Sequence, residues 1–250
     1  MTLTGQIPAL RFLGVRVHNV SSAEALQILE SFIQERRPHQ VVTVNPEFVM
    51  EAHCLPVFRD VLEGADLSLP DGIGLLLAAR IQGARLKERV TGVDTVSRVA
   101  AMAAQKGHTL FLLGAAQGVA EETAQRLTAA NPSLRIVGTY AGSPAPEEED
   151  GIIARVAAAH PDVLFVAYGA PKQDLWIARN LARLDVPVVM GIGGAFDFIS
   201  GRTRRAPAWM QRAGLEWLHR LIREPWRWRR MLALPRFLLR VMAERVTGGE

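Results

Sequence analysis

Cysteine is almost absent: Cys54 is the only one in 250 residues. An internal disulfide is therefore excluded, and a reducing compartment is expected. No stretch approaches ~18 uncharged apolar residues, so no membrane-spanning helix is expected. The opening MTLTGQIPALRFLG has no continuous apolar core, and no secretory signal is read there. The common nucleotide fingerprints are missing as well. "GAAQGVAE" lacks the spacing of G-x-G-x-x-G, while "GIGGAF" comes late and lacks the third glycine. There is no P-loop, which together with the missing fingerprint disfavours a dehydrogenase or a P-loop NTPase. C-x-x-C, H-E-x-x-H and a D-x-D pair are also absent, and the six histidines are scattered. A bound metal thus has little support, and no cofactor is expected. The chain shows no internal repeat and no low-complexity segment.

What is present reads as a globular α/β protein. Hydrophobic residues make up 49% of the chain, ordinary for a packed core. Residues 11–20 suggest a short strand pair, and Ser21 or Ser22 can cap a helix running to about Arg37. "QVVTVN", "DLSLP", "TLFLLG", "RIVGTY", "DVLFVAYG" and "VPVVMGIG" read as strands. Helices are expected near 72–82, 94–106, 117–130, 147–159 and 171–184, with two short ones split at Pro56. Apolar strands alternating with such helices predict a mostly parallel, Rossmann-like sheet covered on both faces. Three strands run into glycine-bearing loops, "LLGAAQG", "VAYGAPKQ" and "MGIGGAFDF". Each alone could be a tight turn. Three in succession favour a nucleotide or phosphate site beyond the strand ends.

Charge is unevenly spread. Between Arg202 and Arg245 there are twelve arginines, no lysine and three glutamates, a net of +9 in a chain whose total is +4. A weakly acidic body over residues 1–201 and a basic, tryptophan-rich helical appendage over 202–250 are therefore expected. Met210, Ala213, Trp217, Leu218 and Leu221 share helical spacing, as do Phe237, Leu238, Val241 and Met242. Pro225 and Pro235 are expected to break the run. Arginines off these stripes, with Trp209, Trp217, Trp226 and Trp228, suit a helix lying on an anionic membrane surface. The plainer reading is a helix packing its stripe on the body. A nucleic-acid partner is not expected, because the arm lacks a helix-turn-helix or RNA-binding signature.

Asp71 stands at the junction "LSLPDGIG", between a strand and a helix. It could cap that helix, or serve as a catalytic carboxylate at a strand end. The segments "TVNPEFVMEA", "ADLSLPDGIGLLLAARIQGARLKERVTGVD", "FLLGAAQGVAEE", "VAYGAPKQDLWI", "GIGGAFDFISGRTRRAP" and "LEWLHRLIREPWRWRR" follow in order. Together they resemble the WecG/TagA/CpsF family of bacterial glycosyltransferases over about residues 10–240. The resemblance implies a metal-independent, inverting transfer from a UDP-sugar donor to a polyprenyl-diphosphate-linked saccharide, with the body over residues 1–201 as its catalytic part. N-acetylmannosamine is the expected sugar, in cell-surface polysaccharide or teichoic acid synthesis. UDP-glucose in exopolysaccharide synthesis is the alternative within that fold; a non-catalytic nucleotide- or nucleic-acid-binding protein is the alternative outside it.

Roles carried over by the resemblance are as follows. Asp71 matches the proposed base, with Thr43, Asn45 and Arg89 beside it. A salt bridge from Arg89 to Glu88 is the bland alternative. Gly114, Lys172 and Gln173 match donor-contacting segments, and Asp197 matches a ribose-binding carboxylate. Arg220, Arg227 and Arg230 match appendage arginines that bind a diphosphate, a task suited to the guanidinium fork. A cytoplasmic protein, peripheral on the inner face of the plasma membrane and sometimes homo-oligomeric, is implied.

Overall fold

A computed structural model describes residues 7–247, apart from the side chains of Arg227, Arg229 and Thr247. The chain opens with an antiparallel hairpin, β1 (Ala9–Phe12) and β2 (Val15–His18). Ser21 then caps α1 (Ser22–Glu35), and Glu24 reaches back to the Ser21 N–H, completing a capping box. β3 (His39–Val44) leads into α2 (Pro46–Cys54) and α3 (Pro56–Gly64), each with proline in its first turn, where the missing N–H is harmless. β4 (Leu67–Pro70), α4 (Ile73–Ile81) and α5 (Gly92–Lys106) follow. The second half runs β5 (Thr109–Gly114), α6 (Val119–Ala130), β6 (Arg135–Tyr140), α7 (Pro146–Ala159), β7 (Val163–Ala167), α8 (Lys172–Leu184), β8 (Val188–Gly191) and α9 (Ala195–Ile199).

The six strands from β3 to β8 form one sheet in the order β4-β3-β8-β7-β5-β6, parallel at every pairing. Five of them are buried at every position, as expected when helices cover both faces; the edge strand β6 is half-exposed. Side chains alternate between the two faces of the sheet, where three clusters form the core. Val41, Leu110 and Leu112 pack with Leu29, Val96 and Val99 from α1 and α5. Val42 and Val44 face the other way, onto Phe48 and Phe58 of α2 and α3. Phe111 and Leu113 face Trp176 of α8. This is the expected α/β architecture, with β3 beside β8 in the sheet. The chain turns outward from β3 to β4 but reaches β8 from the β7 side. A crevice for a ligand therefore opens beyond their carboxyl ends.

Beyond α9 come α10 (Ala208–Arg212), α11 (Glu216–Arg223), a 3₁₀ turn (Pro225–Arg227), α12 (Trp228–Met231) and α13 (Ala233–Thr247). Both prolines fall at breaks in the run, as expected: Pro225 opens the 3₁₀ turn after α11, and Pro235 sits in the first turn of α13, just past the break at Leu232, where its ring is tolerated. The apolar stripe of α13 also turns partly inward. Phe237 and Val241 are fully buried against α2 and α4, and Phe237 meets Phe12 edge-on at 6.1 Å. Each such side chain contributes ~1.5–3 kcal/mol of burial. Leu239 and Met242 stay exposed.

Candidate active site

A cavity of ≈ 460 Å³ opens at the carboxyl ends of β3, β4, β7 and β8, roofed by residues of the C-terminal helices. Its size suits a small-molecule site. Of the sequence-predicted residues, Thr43, Asn45, Asp71, Arg89, Gln173, Asp197, Arg220 and Arg230 all line it. These come from seven separate segments, and only the parallel sheet brings them to one edge.

Asp71 follows β4, and its N–H donates to the Val44 carbonyl at 2.7 Å, tying it to the end of β3. It does not cap the helix that follows it. That N-cap is Gly72, which has no side chain to offer. The Asp71 carboxylate instead accepts a 3.2 Å hydrogen bond from the N–H of Gly92, in the first turn of α5. Burial in the cavity wall pushes its pKa up to about 6, while the Gly92 N–H and the charge of Arg89 pull the other way. A carboxyl group poised there can take up a proton near neutrality.

The floor comes from three loops. Thr43 is buried, and its hydroxyl donates to the Gly191 carbonyl at 3.3 Å. Asn45 caps α2, its side-chain oxygen accepting from the Phe48 N–H at 3.0 Å. Gln173 joins two of the glycine loops: its Oε1 accepts from the N–H of Gly169 at 3.1 Å and of Gly193 at 2.9 Å. Gly191 must be glycine for this to hold. A Cβ there would lie 2.5 Å from Asp174 Oδ1 and 2.7 Å from Gln173 Nε2. Asp174 is fully buried behind Gln173, and desolvation pushes its pKa up to about 7.

Two expected donor contacts fall elsewhere. Gly114 does not line the cavity; at φ +99 it lets β5 lie against the backbone of Ala167, which a Cβ would meet at 2.8 Å. Lys172 opens α8 with its side chain exposed, also outside the lining. The side chain of Arg227 lies outside the described residues.

The roof is cationic, and among the described residues Arg89, Arg205 and Arg230 are each hydrogen-bonded to a carboxylate. Arg89 pairs with Glu216 of α11 at 2.5 Å, not with Glu88, and also donates to the Gln211 carbonyl. Glu88 is occupied instead by Ser22, at the start of α1. Arg230 pairs with Glu47 at 2.7 Å. Arg220 lies 3.5 Å from Glu224 and over the ring of Phe198, with its Nη2 and the carboxylate of Asp197 flanking Gly194. Sequence reasoning missed Arg205 and Glu216. Arg205 lines the cavity, forks onto Asp94 and reaches Glu216 at 2.9 Å. The available signal for Glu216 was its sign: it is one of three acids among twelve arginines. Nothing in the run distinguishes Arg205 from its neighbours.

Among the described residues, no group of three or more His, Cys, Asp or Glu side chains could hold a metal ion. The cavity therefore presents one carboxylate with a raised pKa, polar groups at strand ends, and a set of guanidinium groups overhead. Comparison with known proteins identifies the family. The sequence model of the glycosyl transferase WecG/TagA/CpsF family matches residues 10–250. An N-acetylglucosaminyldiphosphoundecaprenol N-acetyl-beta-D-mannosaminyltransferase of Bacillus subtilis (strain 168) is 34% identical over 236 residues, covering 91% of each chain. The enzyme of the same name from Bacillus spizizenii is 36% identical over 212 residues, covering 85% of this chain and 82% of its own. The match spans strand ends, glycine loops and cationic roof alike, and the chain belongs to the WecG/TagA/CpsF family of glycosyl transferases.

Proposed function

We propose that this protein transfers N-acetylmannosamine from a UDP-linked donor to an N-acetylglucosaminyl diphosphate carried on a polyprenol such as undecaprenol. Asp71 carries the reading: a carboxylate with a pKa of about 6 stands in a cavity roofed by arginines. The names of both relatives support the transferred sugar and the diphosphate-linked acceptor, and the family resemblance supports a UDP-linked donor. Asp71 takes the proton from the acceptor hydroxyl as its oxygen attacks the anomeric carbon of the donor. The bond from that carbon to the UDP oxygen breaks on the opposite face, so the configuration inverts. UDP leaves with its negative charge held by Arg89, Arg220 and Arg230, whose forks suit a diphosphate, and no metal ion is required. The family resemblance alone adds Arg227, three residues before Arg230 in the chain, to that set. Thr43 and Asn45 border the sugar, Gln173 holds the two loops over which the donor lies, and Asp197 accepts from the ribose hydroxyls.

We also propose that the protein works on an anionic membrane surface, where its lipid acceptor resides. The reading is supported by an exposed apolar set on the C-terminal helices. Trp226 is 73% exposed, Ile222 70% and Trp209 59%, with Arg204, Arg212 and Arg223 exposed around them. Among the described residues, no helix is long and apolar enough to cross a membrane. The test is UDP release with a panel of UDP-sugars and a synthetic N-acetylglucosaminyl diphosphate lipid. UDP-N-acetylmannosamine should be preferred, and release should persist in EDTA. Preference for UDP-glucose, or a strict need for Mg²⁺, would overturn the assignment.

A further inference from the structure

Glu216 is the first residue of α11, a helix with no buried residue of its own. Its two carboxylate oxygens go to two different guanidinium groups. Oε2 meets Arg89 at 2.5 Å, and Oε1 meets Arg205 at 2.9 Å. Arg205 in turn holds Asp94 of α5, and Arg89 follows the β4–α4 unit that carries Asp71. One carboxylate on the appendage thus closes a chain of charge, Asp94–Arg205–Glu216–Arg89, that ends beside Asp71. All four side chains are partly shielded; Arg89 is 19% and Glu216 24% exposed. Pairs in such surroundings are screened less than surface pairs. One turn further along α11 the same helix carries Arg220, which overhangs Asp197 and Gly194.

We propose that Glu216 is a positioning residue that couples the seating of α11, and so of Arg220, to the orientation of Arg89 beside Asp71. The inference rests on the glycosyl-transfer reading and extends it to a residue that touches neither sugar nor diphosphate. Glu216 fixes two guanidinium groups at once, which a neutral or shorter side chain cannot do. It also moderates the field at the base. The charged groups that face Asp71 are Arg89 from the segment before α5, Asp94 from α5 and Glu216 from α11. Arg89 favours the carboxylate form, and the two acids oppose it. With Glu216 in place, Asp71 keeps the proton affinity a base requires near neutral pH.

Glu216→Gln in the full-length protein tests this. The substitution keeps the size, removes the charge and replaces one of the two accepting oxygens by an NH₂ donor, which cannot accept from a guanidinium. Glu216 is not in the core, so an unchanged melting temperature is the control for folding. Two results are expected together. kcat/KM at pH 7 falls at least about tenfold, as misplacing charged groups does. The acidic limb of the pH–rate profile moves down by about half a unit or more, because Asp71 loses an opposing negative charge. Arg205→Lys, which keeps the charge but cannot fork onto Asp94 and Glu216 together, should reproduce part of the loss. The double variant should be no worse than the poorer single one, the mark of residues acting as a unit. Unchanged kcat/KM in Glu216→Gln, or a loss with the acidic limb unmoved, would overturn the coupling. Wild-type UDP release on the lipid acceptor separates the two readings. Its absence defeats the glycosyl-transfer assignment, whereas its presence beside a fully active Glu216→Gln protein defeats only the role of Glu216.

Discussion

Asp71 is held at its backbone by Val44 and at its carboxylate by Gly92, so its position does not depend on a ligand. Because burial raises its pKa to about 6, the base form fills in as pH rises through that value. kcat/KM should therefore decline below about pH 6, and Asp71→Asn should lower turnover by roughly 10²–10⁴-fold while UDP binding, measured by calorimetry, persists. Near-normal turnover would remove Asp71 as the base. Asp174 makes a separate statement about stability. Its folded pKa is raised to about 7, above the unfolded value of ~3.9. Between those values the folded state binds more protons than the unfolded one, so this group lowers stability as pH rises from about 4 to 7. Asp174→Asn should remove that slope. Chemical denaturation at pH 5 and pH 8 should show the variant gaining on the wild type at the higher pH, and an unchanged difference would exclude a neutral buried Asp174.

Elements position these residues by their ends. β3 and β4 are paired in register, Thr43 opposite Leu69 and Val44 opposite Pro70, so Asn45 and Asp71 emerge side by side. The α5 N-terminus then supplies the Gly92 N–H, a favourable partner for a carboxylate. The two glycine loops after β7 and β8 are bolted by Gln173, which explains why that residue is buried rather than presented to solvent. α13 acts at the opposite level, as a clamp. Its Phe237 fills the space between Phe12 and the α2–α4 layer, and Gly74 of α4 lies against Leu234. Phe237→Ala should cost about 3–5 kcal/mol in a denaturant titration. Because Leu234 and Met231 line the cavity next to it, the same variant should weaken donor binding. A loss under about 1 kcal/mol would show that α13 is only loosely seated.

For the whole molecule, the arrangement separates two jobs within one basic segment. α13 is packed on the body, while α11 and α12 roof the cavity, and Trp209, Ile222 and Trp226 of the same stretch stay outward. Deleting residues 202–250 would confound these jobs, since it uncovers the surface that Phe237 and Val241 cover. A double Ile222→Ser, Trp226→Ser variant is the cleaner probe of membrane contact. It should fold and bind UDP as the wild type does, yet bind vesicles rich in anionic lipid several-fold more weakly. Wild-type binding should itself weaken with salt, as arginine contacts to a charged leaflet do. Equal vesicle binding by the two proteins would exclude this face as the docking surface.

By itself the sequence determined the parallel α/β class, because short β-branched runs such as "VLFVA", alternating with helical segments, read as strands covered on both sides. Glycine loops beyond the strand ends were a local signal of a ligand site, and the family resemblance named eight residues that line the cavity: Thr43, Asn45, Asp71, Arg89, Gln173, Asp197, Arg220 and Arg230. Three things were decided only in the folded chain. The N-terminus of α5, not α4, receives the Asp71 carboxylate, because a bond across 21 residues depends on how β4 and α5 are set together. Gly114 and Lys172 fell outside the cavity, because β5 lies two strands from the β3–β8 crevice and the side chain at the start of α8 points to solvent. The division of the basic segment into a buried clamp and an exposed face followed from which side of α13 met Phe12. Periodicity reveals that a helix has an apolar stripe; only the partner surface decides whether protein or something else covers it.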